Sequence, residues 1–276
     1  MTYPYRPNSP APRPGRGLPW SAFILFFLLL FLACSTACKH VTAAQEPRNT
    51  SSCIGSLFDV SMSAAAEPTK NGYLRDFAKI VAGLQAGDLV IADTITENPS
   101  ATMTFPVRVS LPAYDAWQTN PLLHRQDMEA AKQSLIDQTT TLVRHTPATK
   151  KTAILDALYV THKAFDSREC REAGHRVLVV FSDMEEDSER DNFLLDNLTT
   201  NRIEALLRWE QHEAHLPDLR DVDVWIAGAT PDRTLGPGKI RSIEAFWMAY
   251  FARTGAKLKS DHYGPALLNF ALSRER

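Results

Sequence analysis

The run "RVLVVFSD", residues 176–183, constrains the chain more than any other stretch. Residues 177–181 are all apolar, with Arg176 before them and Ser182 and Asp183 after. In a strand, successive side chains point to opposite faces, so a continuous apolar run must be covered on both sides. That places it at the centre of a parallel sheet with helices above and below. Further strand patterns follow the same logic at 53–61, 88–96, 102–111, 222–230 and, more weakly, 256–261. Helical periodicity predicts helices at 72–84, 125–145, 152–165, 199–214 and 240–254, with a short terminal helix near 265–273. In the first of these, Leu74, Phe77, Val81 and Leu84 share one face. Apart from the pair within 88–111, helices separate the strands. The expectation is therefore an α/β fold: an open, doubly wound, mostly parallel sheet with helices on both faces. Pro106 cannot donate to a sheet ladder, which moves the 102–111 strand to an edge.

That body spans residues 53–276, and what precedes it is a different kind of sequence. Residues 1–19 are rich in Pro and Arg and carry the composition of a disordered segment. Residues 20–38, "WSAFILFFLLLFLACSTAC", carry no charge and follow three arginines. Basic residues ahead of an apolar core form the pattern of an export segment. Three fates remain open. The core is short for a spanning helix, but its uncharged extent allows an uncleaved anchor. "VTA" before Ala44 suits ordinary signal cleavage. "FLAC" resembles a bacterial lipobox with Cys34 as the lipidated residue, although Phe31 stands where an aliphatic residue is usual. Residues 39–52 then form a polar linker. Each fate leaves the body outside the cytoplasm, and two of them, lipidation and an uncleaved anchor, hold it at a membrane.

The net charge is −2, and the first 44 residues contribute +4, so the remainder carries −6. A weakly acidic body without a basic stripe is not a general nucleic-acid binder. Nor does the chain contain a nucleophile elbow, an H-E-x-x-H pair or a phosphate-binding loop, so no enzyme activity is expected.

In open α/β sheets, ligands gather beyond the carboxyl ends of the strands. Asp59, Ser61 and Ser63 follow the strand from 53; Asp183 follows the central one; Thr152 opens the 152–165 helix. All five are hard oxygen donors, the type that Mg²⁺ takes. Hydroxyl oxygens are neutral, so such an ion keeps an attraction for an outside carboxylate. The same residues also suit helix capping and turn hydrogen bonds without a metal.

At these residues the chain resembles the von Willebrand factor A (VWA) family. Asp59-Val60-Ser61-Met62-Ser63 is similar to its D-x-S-x-S motif, "TAILDAL" to its threonine segment, and "VLVVFSD" to its fourth strand, which ends in a metal-site aspartate. The resemblance implies a metal-ion-dependent adhesion site that holds Mg²⁺ or Mn²⁺ through Asp59, Ser61, Ser63, Thr152 and Asp183. It also implies a partner protein that completes the shell with a carboxylate, and an antiparallel strand at the sheet edge, where the Pro106 strand fits. Because the strands that follow Cys53 and Cys170 are neighbours in the family sheet, a disulfide between these cysteines is expected at the end opposite the metal.

One departure stands out. Where the family often has glycine, this chain has Met184, followed by the acidic "EEDSERD". A solvated acidic loop is the simpler expectation; the sharper one has Glu185 or Glu186 reaching the ion. His212 and His215, with Glu210 and Glu213, read as an exposed polar helix end rather than a second metal site. The function expected is an exported, membrane-tethered module that grips a partner protein through a divalent cation. A metal-dependent phosphoester hydrolase and a metal-free envelope scaffold are the alternatives.

Overall fold

The computed structural model describes residues 51–230 and 235–272. The expectations for 1–19, for 20–38 with Cys34, and for the linker up to residue 50 lie outside these residues. No described helix is long and apolar enough to cross a membrane.

Six strands form one sheet: β1 (Ser52–Asp59), β2 (Leu89–Ile95), β3 (Val107–Ser110), β4 (His175–Phe181), β5 (Val222–Ala227) and β6 (Lys257–Gly264). Their order is β3-β2-β1-β4-β5-β6, parallel throughout except for β3, which pairs antiparallel with β2 at one edge. Among the described residues the helices are α1 (Glu67–Gly83), α2 (Pro99–Thr102), α3 (Pro121–His145), α4 (Ile154–Phe165), α5 (Arg168–Glu172), α6 (Thr200–His212) and α7 (Pro237–Thr254). This is the doubly wound arrangement that the apolar runs predict. Successive residues of the central strands enter two separate cores. Leu57, Leu178, Val180, Val224 and Ile226 face one side, packed with residues of α4 and α7. Phe58, Val177, Val179, Phe181 and Trp225 face the other, packed with α1 and α3. Phe58 and Phe181, opposite each other in register, stack with ring centroids 4.6 Å apart.

Two sequence expectations are corrected. The 102–111 strand is only Val107–Ser110, because Pro99–Thr102 forms a helical turn with Pro at its start. The Asp93 carboxylate then accepts from the amides of Thr104 and Phe105, which bends the chain into β3. Over 265–272 there is no helix. Leu267 is buried and its amide donates to Asp76 on α1, and Asn269 has φ 54°, a left-handed value that ends any helical run. The short helix α5 was not legible as such. Its Cys170 is buried and bonded to Cys53 in a disulfide at the amino end of the sheet.

Gly55 on β1 makes room for α4. A Cβ there would stand 2.9 Å from the Phe165 ring, and Phe165 is fully packed. Gly55→Val should therefore destabilise the protein by about 1–3 kcal/mol through overpacking. Chemical denaturation should show a lower midpoint with an unchanged slope.

Candidate functional site

β1 ends in a carboxylate with no access to water. Asp59 is 0% exposed, at the top of the sheet between the ends of β2 and β4. Burying a charge costs several kcal/mol unless donors surround it. Two donors do so. The Ser61 amide donates to Asp59 Oδ1 at 2.8 Å, and the Ser182 hydroxyl donates to Oδ2 at 2.8 Å. Ser182 Oγ in turn accepts from the Met184 amide at 2.9 Å.

The cluster then runs outward. Ser63 Oγ donates to Asp183 Oδ2 at 2.8 Å, and the Ser61 and Ser63 hydroxyls lie 3.0 Å apart. The Ser61 hydroxyl also hydrogen-bonds the Asp59 carboxylate and so links the buried end of the cluster to Ser63. Asp183 Oδ1 accepts from the Glu185 amide. Thus Asp59, Ser61, Ser63 and Asp183 form one oxygen-rich cluster that starts fully buried and ends exposed at Ser63. Burial first, and the Asp183 charge second, push the Asp59 carboxyl up to about 6.

Thr152 reaches this region through its backbone. The Thr149 amide donates to the Val60 carbonyl, and the Met62 amide donates to the Thr149 carbonyl. Thr152 and Asp187 exchange both backbone hydrogen bonds, at 2.8 and 2.9 Å. Three loops, 59–63, 149–152 and 183–187, are therefore stitched together at the carboxyl ends of β1 and β4. All five candidate donors sit on them. A cleft of ≈ 420 Å³ opens beside Ser63 and Asp183, lined also by Tyr73, Arg75, Asp76 and Gly228. Gly228 has φ +101°, and a Cβ there would meet Tyr73 at 2.5 Å. Only glycine lets the end of β5 and Tyr73 close this wall of the cleft.

The acidic loop departs from the solvated expectation at Glu186 and Asp191. Glu186 is fully buried rather than solvated. Its Oε2 accepts from the amides of Ile154 at 2.7 Å and Leu155 at 3.0 Å. These belong to the first turn of α4, whose N-cap, Ala153, has no side-chain cap of its own. Thr152 is therefore not the cap; Glu186 supplies it from another loop by accepting from first-turn amides that have no partner within the helix. Asp191 is buried as well, ion-paired with Arg190 and Arg202. Met184 has a left-handed backbone, with φ 65°. Its side chain is fully buried, and its carbonyl accepts from the Trp247 indole at 2.8 Å.

Further along, Glu210 is buried and pairs with Arg190 at 2.8 Å and with His215 at 2.7 Å. The α6 end is thus half interior network, with His212 and Glu213 on the open surface. Among the described residues no group of three or more His, Cys, Asp or Glu is placed to hold a metal. The Asp59 cluster is of a different type, with two carboxylates and the hydroxyls of Ser61 and Ser63. That set suits a hard divalent ion in kind, because every donor is oxygen and two facing negative charges need a counter-charge.

The sheet order, the antiparallel edge strand and the flanking helices define a von Willebrand factor A-like fold. Among solved structures, the chain is similar to a von Willebrand factor type A protein from Catenulispora acidiphila. The two are 13% identical with a TM-score of 0.37, over 75% of this chain and 42% of that one. It is also similar to the human COPII-coat protein Sec24c, at 16% identity and a TM-score of 0.34, over 72% of this chain and 28% of that one. The chain spans less than half the length of either protein. No protein-family model and no curated protein matches it.

Sequence reasoning missed Ser182, Tyr73, Gly228 and the capping role of Glu186. A signal existed for Glu186: a helix beginning "TAIL" without its own cap, in a chain with an acidic run elsewhere. Burial pushes the Glu186 carboxyl up to about 8, against the lowering effect of the Leu155 and Ile154 amides. The folded state therefore holds this proton at pH values where the unfolded chain, with its ordinary value of 4.5, has lost it. Stability should fall as pH rises from about 4.5 through about 8. Glu186→Gln should flatten that slope between pH 6.5 and 9 in thermal melts, where wild type loses stability. Ser182→Ala removes a donor to a buried carboxylate and should cost about 1.5–3 kcal/mol by chemical denaturation.

Proposed function

We propose that this protein is an exported, membrane-tethered binding module that grips a partner protein through a divalent cation. In this reading Asp59, Ser61, Ser63, Thr152 and Asp183 hold Mg²⁺ or Mn²⁺. The ion supplies a positive centre with a place for one carboxylate of the partner. The observation that carries the reading is the continuous cluster from buried Asp59 through Ser61 and Ser63 to Asp183, open to solvent at its outer end. Two carboxylates so linked repel each other, and a divalent ion relieves that repulsion. The ≈ 420 Å³ cleft beside Ser63 and Asp183 gives an incoming side chain room, with Arg75 on its wall as a second contact for an acidic group. Export is supported by the uncharged 20–38 segment behind three arginines and by the Cys53–Cys170 disulfide, which persists in an oxidising compartment.

One observation favours a second reading, a metal-free scaffold. Ser61, Ser63, Ser182 and the two aspartates already satisfy one another, so the cluster can stand as a polar latch between loops. A metal titration of the melting temperature separates the two. A ligand that binds only the folded state at a hundred times its dissociation constant adds about 2.7 kcal/mol. With millimolar Mg²⁺ or Mn²⁺, wild type should melt several degrees higher, and Asp183→Ala and Ser63→Ala should lose most of that increment. No increment in wild type gives the cluster to the latch.

A further inference from the structure

The sheet end opposite the candidate metal site carries a second surface. β3 runs antiparallel to β2, so its last residue, Ser110, lies level with Leu89 at the amino end of the parallel strands. Leu111 extends that pairing. Its amide donates to the Asp88 carbonyl at 2.7 Å, and its carbonyl accepts from the Gly87 amide at 3.2 Å. The chain then leaves the sheet and enters α3 at Pro121.

Along this stretch stand Tyr114, 48% exposed, Trp117, 97%, Leu122, 61%, and Leu123, 57%. The Tyr114 ring lies 5.0 Å from the His124 ring, and the Asn120 side chain accepts from the Leu122 and Leu123 amides. These contacts tie the loop to the first turn of α3. One exposed apolar residue is ordinary; four within ten residues, including an indole almost wholly in water, mark a surface that meets something.

The chain enters the fold at the same place. The Ser52 amide donates to Asp88 Oδ1 at 2.8 Å, and Asp88 is the residue that pairs with Leu111. Behind Ser51 lie the polar residues 39–50 and then the uncharged segment 20–38. Twelve linker residues reach at most about 40 Å when fully extended, comparable to the thickness of a bilayer with its headgroups. A bilayer that holds segment 20–38 therefore lies within about 40 Å of Ser51, where the chain enters this end of the sheet.

We infer that Tyr114, Trp117, Leu122 and Leu123 form a membrane-contact surface that enters the headgroup region of the bilayer holding segment 20–38. The inference rests on the tethered reading above. Trp and Tyr favour that boundary because their rings are apolar with one polar atom, and leucines add apolar area just beneath. Attachment at two points orients a domain that attachment at one point leaves free to turn. It directs the carboxyl ends of the strands, and with them the Asp59 cluster, away from the lipid.

The test uses the full chain carrying Trp20→Phe, floated with phosphatidylcholine vesicles whose acyl chains carry bromine, a short-range quencher of indole emission. Trp225 and Trp247 are buried and Trp209 is 41% exposed on α6, which leaves Trp117 as the most accessible reporter. Brominated vesicles should lower emission relative to unbrominated ones, and adding Trp117→Phe should remove most of that loss while leaving flotation and melting temperature unchanged. Flotation without bromine quenching, or with quenching untouched by Trp117→Phe, leaves the tether in place and overturns the contact surface. Failure of the full chain to float overturns both. Sedimentation in detergent that shows a dimer converted to a monomer by Trp117→Phe also overturns the inference, since the patch then belongs to a second copy.

Discussion

The burial of Asp59 is the constraint around which the top of the sheet is built. A carboxylate with no exposure at the end of a central strand is expensive, and the fold answers with donors from two directions. One is local, the Ser61 amide two residues on. The other, Ser182, comes from the end of β4, brought alongside by the parallel pairing of β1 and β4. Those bonds leave the residual cost visible in the raised Asp59 carboxyl, to which the facing Asp183 adds. A site that is strained by its own negative charge and opens to solvent on one side is suited to taking up a cation.

The surrounding architecture fixes this cluster in place without using the cluster's own side chains. Backbone pairs join loop 59–63 to loop 149–152, and loop 149–152 to loop 183–187. Glu186 then locks the acidic loop onto the first turn of α4, and Trp247 holds Met184 from the other side. The acidic character that suggested a solvated rim is therefore partly interior structure. Glu186 and Asp191 point inward because helix amides and arginines satisfy them there. The exposed rim is less negative than a count of the loop's residues implies.

Much of the fold was legible because apolar runs and helical periodicity are local. The 176–183 run is the central strand, Pro106 marks the edge, and the five oxygen donors fall on three loops that the structure joins. What was not legible depends on contacts between distant segments. The cap on α4 comes from 32 residues away. The expected terminal helix is replaced by an irregular segment because Leu267 docks on Asp76, 191 residues earlier. Met184 hides a glycine-like backbone behind a bulky side chain, so its conformation cannot be read from its identity. The His215–Glu210 pair looked like a helix end from spacing alone, yet Arg190 draws it into the interior.

The most direct measurement of the central claim is anomalous X-ray scattering from crystals of this protein grown with Mn²⁺. The account predicts a single strong anomalous peak bounded by Asp59, Ser61, Ser63, Thr152 and Asp183, with the Ser63–Asp183 hydrogen bond rearranged around it. Ordered Mn²⁺ only elsewhere, with that hydrogen bond intact, would contradict it.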